Sequence, residues 1–139
     1  MNVKKFLTGT LAGTIDSFIV AYIIFKFALH SYFGESRMEG VTMEVPDLPW
    51  VVIGHICMSA ALTYIFIKWA NVKTVMAGLN GGLIIGLLTS LGYGLIDYGT
   101  SNVFSSVIPA LVEAFAGGIV WAAGGAAIGW ALSLGNDWP

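Results

Sequence analysis

Charged side chains are scarce in this sequence. Only 10% of the 139 residues are Asp, Glu, Lys or Arg, whereas 57% are hydrophobic and the mean hydropathy is +0.83. Water-soluble domains carry about 25% charged residues, and a chain of this length has too little interior to bury so much apolar surface. The composition therefore argues against a water-soluble globule and predicts a protein that lies in a lipid bilayer.

Other absences narrow the class of protein. Cys57 is the only cysteine, which excludes an intrachain disulfide and leaves no basis for a cysteine metal cluster. The net charge is −2 and no block of basic residues occurs, so the sequence has no electrostatic footprint for nucleic acid. Nucleotide-binding, zinc-protease and serine-hydrolase motifs are missing as well. We therefore expect no enzyme activity, no cofactor, no metal site and no nucleic-acid partner, with an intramembrane enzyme as the least favoured alternative.

Four long apolar segments cover most of the chain, at about 6–29, 48–70, 74–98 and 103–134. Each reaches the roughly 20 residues that a helix needs to cross the hydrocarbon of a bilayer. Spanning segments must pair their backbone groups internally, which favours helices. The sequence predicts an all-α polytopic membrane protein, with four transmembrane helices in one compact bundle that forms a single domain over residues 1–139. The last segment is overlong, and Pro109 is a candidate for the point where a short surface turn gives way to the true span. Ser101 or Asn102 is the expected N-cap of the last helix.

The basic residues predict an orientation. Arg37 falls on one side of the predicted bundle, and four lysines fall on the other: Lys4, Lys5, Lys68 and Lys73. Because basic residues concentrate in cytoplasmic loops, we expect both termini in the cytoplasm and residues 30–47 as an extracytoplasmic loop. That loop is acidic. It is either a solvated connection or a lid or partner contact.

Small residues recur at every fourth position along three of the predicted helices. Residues four apart share one helical face, and small residues there let membrane helices approach closely. The spacing indicates either packing within the bundle or assembly into a homo-oligomer or a larger membrane complex. The expected packing residues are Gly9, Gly13, Gly78, Gly82, Gly86, Gly94, Gly118, Gly125 and Gly129.

Five polar residues lie within or at the end of these apolar segments: Asp16, His55, Tyr93, Asp97 and Glu113. A charge at the bilayer centre costs at least about 2.5–3.5 kcal/mol, so such groups normally face a protein interior or a watery cavity. We expect these five side chains to converge and to bind or conduct a proton, a cation or a small polar ligand. In the alternative, the acids only fix helix register and the chain is a structural or accessory subunit assembled through its glycine-rich faces.

Three stretches carry a resemblance to a known family. They are Tyr64-Ile-Phe-Ile-Lys-Trp-Ala70, Gly78-Leu-Asn-Gly-Gly-Leu-Ile-Ile-Gly86 and Asp97-Tyr-Gly-Thr-Ser-Asn102. Together with the short basic start and the glycine-rich last helix, they resemble a family of small uncharacterised bacterial membrane proteins. The resemblance implies a four-helix protein of the bacterial inner membrane. It implies no activity, and no functional residue can be carried over from it.

Overall fold

The computed structural model describes residues 2–41, 43 and 45–134. These residues form five α-helices: α1 (Val3–Tyr22), α2 (His30–Ser36), α3 (Leu48–Lys68), α4 (Val75–Thr100) and α5 (Val107–Leu134). A π-helical segment, Ile23–Ala28, continues α1 without a break. No β-strand occurs within the described ranges, where the only extended pairing is one isolated bridge between Arg37 and Phe104. The prediction of an all-helical chain is confirmed.

Four helical segments are long and apolar enough to cross a membrane: Val3–Ala28, Leu48–Lys68, Val75–Thr100 and Val107–Leu134. Their large apolar side chains point outward, as shown by Leu11, which is 62% exposed, and Phe115, which is 63% exposed. The buried positions of α1 and α4 are instead occupied by glycine, serine and threonine. This distribution inverts that of a water-soluble protein and is typical of helices packed in lipid.

The last long helix begins later than the sequence predicts. It starts at Val107, so neither Ser101 nor Asn102 caps it. The residues in between are non-helical and are tied by hydrogen bonds to the end of α2 and the residues that follow it: Met38 N donates to Val103 O over 3.2 Å, and Ser105 N donates to Ser36 O over 3.0 Å. Because these backbone groups are paired outside a helix, the helix cannot extend back to residue 103.

The predicted loop 30–47 contains a short helix. The side chain of Phe33 on α2 is buried against Phe104 and Ala110, and Tyr32 packs against the same cluster. Helix α2 therefore folds over one end of α5 instead of extending away as a simple loop.

The long helices pack in the order α3, α1, α5, α4, with the most extensive contact between α4 and α5. Neighbours in this order run antiparallel, because contacts that advance along one helix move back along the other. Gly9 faces Thr63 and Gly13 faces Ser59; Gly13 faces Ile128 and Ser17 faces Gly124; Gly78 faces Gly125 and Gly82 faces Trp121. One end of the assembly carries Lys4, Lys5, Lys68 and Lys73, and we call it the basic end. The opposite end carries α2 and Arg37, and we call it the Arg37 end.

Glycines line the contact between α4 and α5. A β-carbon on Gly82 would collide with the carbonyl oxygen of Trp121, and one on Gly78 would collide with the carbonyl oxygen of Gly125. Only glycine permits this approach of the two backbones. The remaining expected packing glycines also face neighbours within the chain; they are Gly9, Gly13, Gly86, Gly94, Gly118, Gly125 and Gly129. Packing within the chain thus occupies these faces, and the homo-oligomer stays a prediction.

Candidate functional site

A line of polar side chains runs between α1 and α3. Positions 55, 59 and 63 are four apart and share one face of α3, while positions 9, 13 and 17 share one face of α1. The antiparallel register brings these faces together and pairs Gly9 with Thr63, Gly13 with Ser59, and Ser17 with His55. We call the four polar members, Ser17, His55, Ser59 and Thr63, the polar seam.

The imidazole of His55 is anchored through one ring nitrogen. Its Nδ1 lies 2.9 Å from Ser17 Oγ. The ring packs edge-on against Phe18 and at a tilt of 33° against Trp121, with centroid distances of 5.7 and 5.8 Å. Ser17 Oγ also donates to the carbonyl oxygen of Thr14 over 3.4 Å. An unprotonated Nδ1 is a second acceptor for the serine proton, whereas a protonated Nδ1 donates to Ser17 Oγ. The imidazole Nε2 has no hydrogen-bond partner among the residues that the structure describes. In a neutral imidazole one ring nitrogen donates a hydrogen bond and the other accepts one.

Ser59 and Thr63 have hydroxyl groups that are fully buried and unpartnered. Both residues are 0% exposed, and neither Ser59 Oγ nor Thr63 Oγ1 has a hydrogen-bond partner within the described part of the chain. Helical hydroxyls usually bond back to the carbonyl four residues earlier, as Thr14 does to Thr10 O at 2.8 Å and Thr89 does to Ile85 O at 2.7 Å. The hydroxyls of Ser59 and Thr63 do not bond in this way. An orphaned buried hydroxyl costs about 1–3 kcal/mol and calls for a physical explanation.

The polar seam covers part of the membrane thickness. From position 55 to position 63 it advances eight residues along α3, which is about 12 Å at 1.5 Å per residue. It starts at His55, in the half of α3 nearer the Arg37 end, and leads toward the basic end, where α3 finishes at Lys68. The seam therefore extends over about two fifths of a 30 Å hydrocarbon core.

Asp16 lies beside the polar seam but does not face it. Its Oδ2 is buried and has no hydrogen-bond partner among the described residues. The side chain lines a groove of about 390 Å³ whose other walls are Val75, Ala123, Ala126, Ala127 and Trp130. We call this the Asp16 groove. The adjacent residues Asp16 and Ser17 therefore serve two separate places in the fold.

Glu113 has a partner at the Arg37 end. Arg37 Nη2 donates to Glu113 Oε2 over 2.8 Å. The guanidinium carbon also lies 4.7 Å from the ring centroid of Phe33 and 5.7 Å from that of Phe104. This ion pair holds Glu113 against the segment that follows α2.

The remaining two predicted site residues lie on α4. Tyr93 is 71% exposed, so its side chain lies on the outside of the helical assembly. Asp97 is partly buried near the end of the helix. Across the described ranges, no hydrogen bond or ion pair joins any two of the five predicted residues, and no group of three or more His, Cys, Asp or Glu side chains is placed to hold a metal ion. The structure does not bring the five side chains together.

The sequence contains signals for part of the polar seam. Spacing alone puts His55 and Ser59 on one face, and Thr63 extends that face by one turn. Ser17 continues the four-residue spacing of Gly9 and Gly13 and is therefore interpreted from the sequence as a small packing residue. Its contact with His55 is not predicted by its residue type. The Arg37 partner of Glu113 is 76 positions away, and no local pattern indicates it.

These features define the chain as a multi-pass membrane protein with a buried polar seam between two helices. No protein-family model, curated protein or solved structure matches the chain. The resemblance to small bacterial membrane proteins therefore stays a prediction.

Proposed function

We propose that this small integral membrane protein is not an enzyme and that it binds and transfers a proton along the polar seam. The observation that carries the proposal is the pair of fully buried, unpartnered hydroxyls of Ser59 and Thr63, on the same face of α3 as His55. A purely structural contact between helices would gain from alanine or valine at these positions, because apolar groups of the same shape carry no desolvation cost.

The chemistry of the polar seam suits a proton. Imidazole and hydroxyl groups both donate and accept hydrogen bonds, and histidine changes charge near neutral pH. Water that enters between the hydroxyls during transfer would bridge the turn-long gaps between them. Dedicated sites for hard cations use several carboxylate and carbonyl oxygens, and the polar seam contains no carboxylate. This favours a proton over a metal cation among the ligands that the sequence left open.

The glycine faces supply little support for the alternative, a structural subunit assembled through those faces. Each expected packing glycine already meets a neighbour in its own chain, for example Gly86 against Trp121 and Gly118 against Leu87. An accessory role would need a different surface.

The proposed setting is a bacterial cytoplasmic membrane with both termini in the cytoplasm. Support comes from the lysines that gather at the basic end, since basic residues favour the cytoplasmic side. In that orientation His55 lies nearer the outer surface, and Thr63 lies nearer the cytoplasm.

A liposome assay tests the proposal. The purified protein is placed in vesicles of phosphatidylethanolamine and phosphatidylglycerol that contain a pH-sensitive dye, and a potassium gradient with valinomycin drives protons inward. We expect acidification faster than in protein-free vesicles, and a decrease of about tenfold or more in His55→Gln, because removal of a proton-relay group costs at least that much. Thr63→Val should slow the flux as well, whereas the control Glu113→Gln should not. Acidification at the rate of protein-free vesicles would contradict the proposal. So would a proton flux that neither His55→Gln nor Thr63→Val changes.

A further inference from the structure

The Asp16 groove runs along the side of α5, between α1 and α4. Its floor is formed by Ala123, Ala126 and Ala127, and Trp130 lies toward the basic end. Asp16 stands near the midpoint of the Val3–Ala28 span, so its carboxyl group lies deep in the apolar part of α1. The groove opens at the surface of the four-helix assembly, where a neighbouring membrane component has access.

The carboxyl group of Asp16 lacks a partner within the described chain. A carboxylate at membrane depth costs at least about 2.5 kcal/mol unless it is paired, so its presence calls for a cation or donor. Along α1, the nearest cations are Lys5 and Lys26, eleven and ten residues away, which is about 15 Å of helix in each direction. Arg37 is occupied by Glu113. Lys73 lies two residues before Val75, at the basic end of the groove, and forms no ion pair with Asp16.

The shape of the groove suits a helix. Alanine side chains form a shallow floor over more than one turn of α5, and small residues let a second helix approach closely enough for van der Waals packing to hold it in lipid. Charge complementarity with Asp16 determines which residue the docked helix should carry at that depth. A second copy of this chain would bring another Asp16, and the described spans hold no lysine or arginine at the same depth. The imidazole of His55 lies at that depth, but it is held between α1 and α5 by Ser17, Phe18 and Trp121.

We infer that the Asp16 groove docks a transmembrane helix of a different protein, one with a lysine or arginine near mid-membrane that pairs with Asp16. The cationic side chain supplies the missing partner of Oδ2, and the apolar turns on either side of it pack on the alanine floor. This surface is separate from the polar seam, so the inference does not depend on proton transfer.

The test uses the full chain and a defined helix. A synthetic 21-residue transmembrane peptide of leucine and alanine carries one central lysine, and matched peptides carry leucine or glutamate at that position. Association with the labelled protein is measured by energy transfer in phosphatidylethanolamine–phosphatidylglycerol vesicles at one fixed pH. We expect the lysine peptide to bind about three- to tenfold more tightly than the leucine peptide, the range that polar pairs between membrane helices support. The glutamate peptide should bind no better than the leucine peptide.

Two variants in the groove and one control outside it test whether the groove causes the preference. Asp16→Asn keeps the shape of the side chain and should abolish the preference for lysine, whereas Asp97→Asn, which removes an acid outside the groove, should retain it. Ala126→Phe fills the groove while Asp16 stays, and should weaken binding of both the lysine and the leucine peptides. Circular dichroism confirms that each variant is helical.

Three results would overturn the inference. The first is equal binding of the lysine and leucine peptides to the folded protein. The second is a lysine preference that persists in Asp16→Asn. The third is association between two copies of the chain that Asp16→Asn abolishes, since a second copy would then occupy the groove.

Discussion

Arg37 donates a hydrogen bond to Glu113 across 76 positions of sequence, with Nη2 2.8 Å from Oε2. The guanidinium group also lies against the ring of Phe33, so one side chain joins the end of α2 to the beginning of α5. This contact gives Glu113 a fixed partner at the Arg37 end. We therefore assign Glu113 to the stability of the fold and not to proton transfer.

The Arg37–Glu113 pair should contribute a small, salt-sensitive coupling energy. Both side chains are partly exposed, at 22% and 36%. Solvent therefore screens the pair, and we expect a coupling of about 0.5–1 kcal/mol. The measurement is a double-mutant cycle with Arg37→Gln, Glu113→Gln and the double variant, read from unfolding in detergent. The coupling should shrink as the salt concentration rises. Additive effects of the two single substitutions would show that the contact contributes nothing.

This ion pair is an example of a contact that local sequence patterns do not predict. The four apolar segments and their four-residue glycine spacing are local patterns, so they can be recognised without knowing which helix meets which. The contact of Arg37 with Glu113 and the delayed start of α5 at Val107 depend on segments distant in sequence. No periodicity encodes such contacts.

The candidate site also has one part that the sequence predicts and one part that only the helix packing determines. The spacing of His55 and Ser59 is visible in the sequence, but which face of α1 they meet depends on the register of the two helices. That register places Ser17 beside His55 and turns Asp16 away from it, although the two residues are adjacent. The cost of burying a charge predicts that Asp16 and His55 share one site. Only the packing of the helices shows that they face different places.

Gly82 should be far less tolerant of a methyl group than Gly92. A β-carbon at Gly82 would collide with the Trp121 carbonyl oxygen, whereas one at Gly92 has no neighbour within 4 Å. We expect Gly82→Ala to destabilise the protein by about 1–3 kcal/mol, as overpacking of a close contact does. Gly92→Ala, on an exposed face of the same helix, should be neutral or should stabilise by up to about 1 kcal/mol, because alanine favours the helix.

Thermal unfolding in one detergent compares the two glycine variants directly. Since both substitutions add the same methyl group to α4, the difference between them isolates the contact with α5. Equal stability of the two variants would show that the α4–α5 backbones lie farther apart than in this structure.

Thr63→Val should raise stability while it slows proton transfer. The Thr63 hydroxyl is buried without a partner, so an isosteric methyl group removes a desolvation cost of up to about 1–3 kcal/mol. Thr14 provides the matched control, because its buried hydroxyl donates to Thr10 O over 2.8 Å. Thr14→Val loses that hydrogen bond, and we expect it to cost about 0.5–1.5 kcal/mol. Unfolding in detergent gives both values, and a stability loss in Thr63→Val as large as in Thr14→Val would mean that the Thr63 hydroxyl has a partner in the folded protein.

Ser17→Ala should change the protonation pattern of the His55 ring without disturbing the packing. The serine hydroxyl is the hydrogen-bond partner of Nδ1, while its β-carbon, which alanine keeps, is the atom that faces Gly124. Loss of one hydrogen bond, worth about 0.5–1.5 kcal/mol, shifts the ratio of the two neutral imidazole tautomers by about two- to tenfold. Imidazole ¹⁵N chemical shifts measure this ratio, and His55→Gln distinguishes the His55 signals from those of His30. Ser133→Ala is the control, since that hydroxyl donates to Trp130 O and lies outside the polar seam. If Ser17→Ala and Ser133→Ala leave the His55 signals at the same chemical shifts, Ser17 does not determine the tautomer ratio of the imidazole. Ser17 would then not be a functional member of the polar seam.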